Sequence, residues 1–392
     1  MTFERMTCLR MRWRTPVNCN RFLFFLLAAG LMGCGGGSGS VGGPPPPPQL
    51  ISFDVPGAGT RAGQGTFPQQ NTQSGIVTGY YIDANNVSHA FLRSSDGTIT
   101  SFDAPDAAQI NGRGTRAYGI NAGGTIVGMY IDSRAVDHAF VRAADGTMSS
   151  FDAPGAGSST GQGTLALSIN VAGAIAGIYH DSNNVYHSFL RAADGTTTGF
   201  DAPGAGSATN QGTLGDTVGL NDSGVITGIY LDANNVNHGY VRAADGTITS
   251  IDAPDAGAGS GQGTGTATIG ESGAIPGAYY DSNGVLHAFL RASDGTFTFF
   301  DAPGAGTRAG QGTGAIVTNY PTGITAGNYI DAGGAIHAFL RDLNGTITSF
   351  DAMGAGTAPG QGTSPLSINS AGSITGLYVD SNGANHGFIR DP

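Results

Sequence analysis

Lysine is missing from the whole chain, cysteine is missing after Cys34, and tryptophan is missing after Trp13. Without a second cysteine beyond position 34, no disulfide can staple a body that starts there, so its fold has to rest on packing and hydrogen bonds. With Glu4 and the five arginines of the first 21 residues set aside, 27 acidic residues face 12 arginines, a formal charge of −15. Nucleic acid and anionic lipid are held by clustered lysine and arginine, which this composition does not offer. Long apolar runs are scarce as well. Phe22 to Met32 is eleven residues, about 16 Å as helix, well short of the ~30 Å of hydrocarbon in a bilayer.

What the chain has is repetition. A histidine returns at His89, His138, His187, His238, His287, His337 and His386, at spacings of 49, 49, 51, 49, 50 and 49 residues. An apolar residue followed by aspartate returns with it, from Phe53-Asp54 to Phe350-Asp351. A period near 50 held over almost the whole chain is the mark of a repeat architecture.

The first 33 residues read as an export signal, with arginines ahead of the short apolar run. Leu31-Met32-Gly33-Cys34 resembles a bacterial lipobox, in which the cysteine thiol is acylated and becomes the first residue of the mature protein. Gly35 in the next position resembles the sorting pattern of outer-membrane lipoproteins. An ordinary cleavable signal with a chance cysteine is the alternative. Residues 34–49, rich in glycine and serine and ending in Pro44 to Pro48, read as a tether whose five prolines form a polyproline II rod of about 15 Å. Residues 50–392 form the repeat body.

One repeat, 164–203, shows the local structure. Leu165, Leu167 and Ile169 alternate with small or polar residues up to a turn at Asn170 to Gly173. Ala174 to Asp181 is a second strand, closed by Ser182-Asn183-Asn184, where asparagine tolerates the positive φ of a tight hairpin. Val185 to Arg191 is a third, Asp194-Gly195 a hairpin turn, and Thr196 to Asp201 a fourth. Such a unit resembles a blade of a β-propeller. The body begins on a fourth strand, Gln49 to Asp54, and ends on a third, His386 to Arg390. The expected fold is therefore all-β, a seven-bladed β-propeller of four-stranded antiparallel blades, with the N-terminal strand completing the last blade and closing the ring.

His-Ala-Phe-Leu-Arg at 89–93, 287–291 and 337–341, His-Ala-Phe-Val-Arg at 138–142, and Ile169-Asn170-x-x-Gly173 with Gly177-x-Tyr179 upstream are similar to the HAF-type extracellular repeat of bacterial exported proteins. The resemblance covers 50–392. It implies an exported, β-rich, propeller-like protein, and brings no established activity with it.

Seven histidines, seven Tyr-x-Asp pairs and seven arginines invite a catalytic or metal-binding reading. Groups that do chemistry must converge on one substrate, however, and equivalent positions around a ring point to different places. The seven histidines are accordingly expected to be structural, with the fourth-strand aspartate across the hairpin pairing with the arginine. The Asp-x-Asn hairpins offer oxygen ligands at alternate positions but lack the longer run of acids and terminal glutamate of a strong calcium loop. No cofactor and no metal site are expected, with calcium the alternative those hairpins leave open.

Function on a symmetric scaffold belongs where the symmetry breaks. Two extra residues fall in Leu214 to Leu220 and one in Gly314 to Pro321, and Phe67 to Asn71 loses the apolar alternation. All three changes are assigned to strands lining a central channel. His180 is the histidine outside the repeat, Glu271 the one glutamate after Glu4, and Pro276 interrupts a second strand. With no catalytic residues identified, the candidate ligand rim is Gln69, Asp216, Asn319 and Tyr320, with Asp216 and Gln69 near the mouth and the other two deeper. The leading functional expectation is a lipid-anchored, cell-envelope or cell-surface binding module for a glycan or protein, with no nucleic-acid partner and membrane contact only through the lipid. The alternatives are a lyase or hydrolase with its active residues at the channel mouth, and a purely structural envelope protein. Converging acids and a histidine at the mouth would favour the enzyme; exposed tyrosine and asparagine surfaces would favour binding.

Overall fold

The computed structural model describes residues 49–319 and 323–392, apart from the side chains of 215–217. Cys34, the tether and Tyr320 lie outside the described residues. The described residues are all-β, with no helix among them.

The strands follow from alternation and turn chemistry. After a first strand Leu50–Phe53 come Gly65–Asn71, Val77–Ile82, Ser88–Arg93 and Ile99–Phe102, each paired antiparallel with the next. The same order recurs in sets spanning 114–151, 163–200, 212–251, 263–300 and 312–350. A last set has three strands, Gly362–Ile368, Ile374–Val379 and Asn385–Arg390. Each second hairpin is shaped by its aspartate. The Asp83 carboxylate accepts the N–H groups of Asn85 at 2.9 Å and Val87 at 2.8 Å, while Asn86 takes φ of 60°. These are the side-chain bonds that make Asx residues turn formers.

Sets are joined by one repeated contact. The first residue of a third strand forms a parallel bridge to the glycine that heads the next set's first strand, as in Ser88 to Gly114, Asp137 to Gly163 and Tyr186 to Gly212. Gly114 has φ of 115°, and a Cβ there would lie 2.0 Å from the Ser88 carbonyl oxygen, so no other residue fits. The neighbouring motif residues serve the same joint. Gln162 reaches back to the next hairpin, donating to Asn184 Oδ1 at 3.1 Å, and Thr164 Oγ1 accepts the N–H of Ala153 at 2.9 Å. This explains the Gly-Gln-Gly-Thr linkers. They hold the second hairpins and the connections between sets on one rim, as the connectivity required.

The same bridge, Asn385 to Gly65, joins the last set to the first. Leu50–Phe53 then pairs antiparallel with Asn385–Arg390, from Leu50 opposite Arg390 to Phe53 opposite Gly387, and supplies the last set's fourth strand. The sheet is thus closed on itself and has no seam without hydrogen bonds.

Apolar packing lies between sets. Phe102 meets Phe140 of the next set edge-on, with centroids 6.3 Å apart at 87°, and the Arg142 guanidinium lies 4.6 Å over the Phe102 ring. The arrangement of arginine over phenylalanine recurs six times, and the remaining position carries Ile251 instead of phenylalanine. The arginine therefore stacks on the preceding set and does not pair with its own set's aspartate.

Two other expectations are corrected. Pro276 does not interrupt its strand, Ile275–Tyr280. Its carbonyl accepts the Ala267 N–H at 2.9 Å, so its ring nitrogen faces the first strand of that set, which has already stopped at Thr266. The missing N–H thus breaks no ladder bond. The extra residue near 314–321 is not in the strand lining the ring either. Gly312–Thr318 keeps the usual seven residues, and the insertion widens the following turn, where Asn319 N–H bonds to the Ile324 carbonyl instead of the usual residue four positions on.

Deleting residues 50–53 should lower unfolding free energy by about 3 kcal/mol or more, since Leu50 and Phe53 lose their burial and Asn385–Arg390 becomes a bare edge. Denaturant titration of the deletion checks this; an unchanged midpoint would mean that closure contributes nothing.

Candidate functional site

Each repeated histidine is held on three sides. In the third set His187 Nδ1 lies 2.9 Å from both oxygens of Asp201, its ring stacks on Tyr179 at 4.9 Å and 20°, and Nε2 lies 3.8 Å from Asp181. His89, His138, His238, His287, His337 and His386 repeat this around the ring, and His386 takes its aspartate, Asp54, from the closing strand. The fourth-strand aspartate is thus engaged by histidine. No group of three potential ligands is arranged to hold a metal ion among the described residues.

Of the rim candidates, Gln69 is the bulged residue of Gly65–Asn71, between Pro68 and Gln70, and lies half-buried in the ring interior. The backbone of Asp216 falls in the irregularity between Leu214 and Gly219, where the two extra residues are absorbed; its side chain lies outside the described residues. Asn319 sits beyond the end of its strand, at the rim opposite the Asp-x-Asn hairpins, and is a joint. Its Oδ1 accepts the Ile324 N–H at 3.1 Å and its Nδ2 faces the Asn369 carbonyl oxygen at 3.5 Å. Asn121 bonds in the same way to Asn170 O and Asn170 to Asn221 O, both at 3.2 Å, and Asn369 reaches Thr72 O at 2.9 Å. Asn121, Asn170 and Asn369 belong to Ile-Asn-x-x-Gly turns, Asn319 holds the same place after Thr318, and all four stitch successive sets at that rim. Where Gly270 interrupts the series, Glu271 accepts the Asp222 N–H at 2.9 Å, and Asp222 accepts the Val171 N–H at 2.9 Å. Glu271 is therefore also a joint. Gln69 and Asn319 belong to sets that are separated by the one beginning at Gly362.

Other residues do gather, and of these Tyr80, Arg116 and Tyr118 were not singled out from the sequence. Tyr80 stacks on Phe67 at 4.8 Å and 6°, and meets Tyr118 of the next set edge-on at 6.2 Å. The Arg116 guanidinium lies 5.3 Å from the Tyr80 centroid, and its Nε donates to Ser88 Oγ at 3.1 Å. Gln69 sits beside this cluster, its amide 3.5 Å from the Phe67 carbonyl oxygen. Among the described residues, Arg116 and Asp137 are the charged side chains of the acid and arginine classes that are buried, at 8% and 2% exposure. Asp137 Oδ2 has no hydrogen-bond partner. Burial pushes its carboxyl up to about 7, against the opposing influence of Arg116 and His138. Burial also raises the Tyr118 hydroxyl to about 12. Burial works against the Arg116 charge, but Tyr118, Tyr80 and Asp137 outweigh it and leave its pKa raised.

The signal for these residues lay in comparing equivalent positions. Where the second set has Arg116, the others have Phe67, Leu165, Leu214, Gly265, Gly314 and Ser364; where it has Asp137, they have Ser88, Tyr186, Asn237, Leu286, Ile336 and Asn385. Aromatic faces, a guanidinium and an amide can together stack against and hydrogen-bond a polar organic ligand, whereas Asp137 stands at the next junction, opposite Gly163. His180 is a separate buried group, 4% exposed, edge-on to Tyr186 at 4.1 Å with no partner for Nδ1. Burial pulls it down to about 4. A surface cavity of about 190 Å³ against Pro105, Asp106, Tyr130, Met148 and Ser149 involves none of these interior groups.

No protein-family model matches the chain, and no curated protein matches it. Among solved structures it is similar to the BP39L lectin from Burkholderia pseudomallei, with a TM-score of 0.53 and 9% identity over 83% of this chain and 96% of that one. A puromycin hydrolase matches with a TM-score of 0.49 and 12% identity, over 80% of this chain and 50% of the hydrolase, so the chain spans half of that enzyme's length. A lectin from Aleuria aurantia, described as a six-bladed β-propeller with a fucose recognition mode, matches with a TM-score of 0.39 and 12% identity over 80% of this chain and 96% of that one. At 9% identity the likeness to the BP39L lectin speaks to the path of the chain alone.

The two buried titrating groups should oppose each other. Between the ordinary 6.5 and about 4 the unfolded chain takes a proton that folded His180 refuses, so stability falls as pH drops through that window. Between the ordinary 3.8 and about 7 folded Asp137 keeps a proton that the unfolded chain releases, so stability falls as pH rises through that window. Each contributes on the order of 3 kcal/mol. His180→Leu should therefore leave a protein that loses stability from pH 4 to 7, and Asp137→Asn one that loses it from pH 6.5 to 4. Urea titrations across that range check the two slopes; parallel profiles for both variants would refute the assignment.

Proposed function

We propose that the chain is an exported, lipid-anchored, seven-bladed β-propeller of the HAF-repeat kind, whose four-strand sets are the blades, and that it binds extracellular glycan at the cell envelope without turning it over. The observation that carries this reading is the division of labour among polar side chains. The repeated histidines, aspartates, glutamines and asparagines are bonded to one another in joints that build the ring. Several departures from the repeat meet between the first two sets, as the aromatic faces of Phe67, Tyr80 and Tyr118 beside Arg116. Sugars are held by such combinations, through stacking on an apolar face and hydrogen bonds to hydroxyls. The resemblance in outline to a lectin agrees with this reading. The acidic body, at −15, disfavours nucleic acid and anionic lipid as partners.

A second reading, a lyase or hydrolase on the same ring, is favoured by one observation: Asp137 is a buried carboxyl with an unpartnered oxygen, pushed up by that burial to about 7. One experiment separates the two. Screening the purified body on a glycan array should give retained ligand, and incubation of the positive glycans should yield no cleavage products. An array with no binding sinks the glycan reading. Products formed by the native protein and not by Asp137→Asn establish the enzyme.

The anchor is tested apart from the ligand. If Cys34 carries lipid, Cys34→Ser should move the protein out of the membrane fraction or stall its processing. Unchanged detergent partitioning would rule out the acylated cysteine.

A further inference from the structure

A cavity of about 190 Å³ opens where the linker that leaves the first set passes the fourth strand of the second, Met148–Phe151. Cavities of ~150 Å³ already take up a small organic molecule. Its apolar lining is Pro105, Phe140 and Met148, and its polar lining includes Asp106, Tyr130 and Ser150. No side chain in the lining is cationic, and none carries an amide. Asp106 departs from the repeat. Five of the linkers have glycine at its position, Gly57, Gly155, Gly204, Gly304 and Gly354, with φ between 92° and 98°. Asp106 does not share that left-handed conformation, yet its turn closes with the same bond, from the Ala107 N–H to the Ala104 carbonyl oxygen at 3.0 Å. The turn therefore has no need of a carboxylate. Burial raises the pKa of the Tyr130 hydroxyl most, a hydrogen bond with Ser150 opposes it, and Asp106, Asp152 and Asp132 raise it further. Of these three acids, Asp132 is bonded to the Val136 N–H and to Arg134, and Asp152 to His138. Asp106 makes no hydrogen bond or ion pair among the described residues. Arg142, opposite Met148 across the hairpin, lies over the Phe102 ring and does not line the cavity.

We propose that this cavity binds an aliphatic ammonium group, with Asp106 as its counter-ion, the Ser150 and Tyr130 hydroxyl oxygens accepting its other N–H groups, and Phe140 and Met148 against its carbon chain. The site goes beyond the glycan reading and does not rest on it. An ammonium has three donors and no acceptor, so a lining of carboxylate and hydroxyls suits it, whereas an anion finds no charge there to pair with. The formal charge of −15 on the body draws cations toward it. With no lysine in the chain, no ammonium side chain of its own competes for the place. The linker ahead of the fifth set also carries an aspartate at this turn, Asp255, but there Phe299 stands in place of the serine. The Phe299 ring lies edge-on to Tyr279 at 5.7 Å and 84° and stacks on Phe297 at 5.5 Å, so a side chain of the protein occupies the place beside the tyrosine.

The repeat supplies the test substitutions. Asp106→Gly installs the residue of five other linkers, Ser150→Phe that of the fifth set, and Asp255→Gly removes the second aspartate as a control. The probes are butylammonium and 1,4-diaminobutane, with butanol and butyrate as neutral and acidic comparators, and N-acetyl-lysine methylamide as the form a protein partner would present. Calorimetry and thermal shift on the full purified body read the binding. The native protein should bind an ammonium and neither comparator, and the affinity should fall as salt rises. Asp106→Gly should weaken that binding about tenfold, Ser150→Phe should remove it, and Asp255→Gly should leave it unchanged. Binding of the diamine without the capped lysine upholds the site and assigns it a free amine; the reverse upholds it and assigns it a lysine side chain. No binding of any ammonium, equal binding of butanol, native affinity in both Asp106→Gly and Ser150→Phe, or an equal loss in Asp255→Gly would each overturn the proposal. The glycan array is read separately, so a blank array leaves this site standing and a failed amine titration leaves the glycan reading untouched.

Discussion

The structure depends on a close approach of backbone to backbone. At each junction a third strand touches the glycine heading the next first strand, so near that a methyl group there would strike a carbonyl oxygen. The bridge itself is one residue long and cannot hold two sets together alone. Its strength comes from the groups packed around it: the glutamine that returns to the next hairpin, the threonine that holds the linker, and the arginine on the phenylalanine of the preceding set. Remove the glycine and these contacts lose their registration together.

A consequence for chemistry follows from this economy. Histidine beside two aspartates and a tyrosine would attract attention in any single active site. Here the same group appears in every set, and its bonds tie the strands of that set to one another. The chemically informative residues are the ones that a repeat would not supply: a buried guanidinium and three aromatic rings meeting across one junction, and a buried carboxyl at the next.

Much of the fold was legible because its signals are local. Asp-Gly and Asx turns, period-two alternation and the offset phase of the chain ends fixed the strands and pointed to closure by residues 50–53. Long-range partners were another matter. Asn319 looked like a candidate for ligand contact because a side-chain amide carries no mark of whether its acceptor lies in a ligand or in the next set's backbone. The aspartate was assigned to arginine because charge alone favours that pair, whereas the stacking of arginine on the preceding phenylalanine removes it from reach and leaves histidine. Pro276 looked like a breaker because the early stop of the neighbouring strand cannot be read from a proline. Arg116 and Asp137 were visible as letters, but their weight came only from burial and from what the other sets hold at the same places.

The two ends of the described body meet beside each other, with the Asp391 N–H 2.9 Å from the Gln49 carbonyl oxygen. Topologically the body is a loop that happens to be cut inside its last set, and the cut is covered by main-chain pairing on both sides. The bridge that closes the ring is the one found at the other junctions, so the seam is movable: ends joined at 49 and 391 and reopened at another linker would give a ring of whole sets. Circular order, and not the place where synthesis begins, is what this sequence encodes.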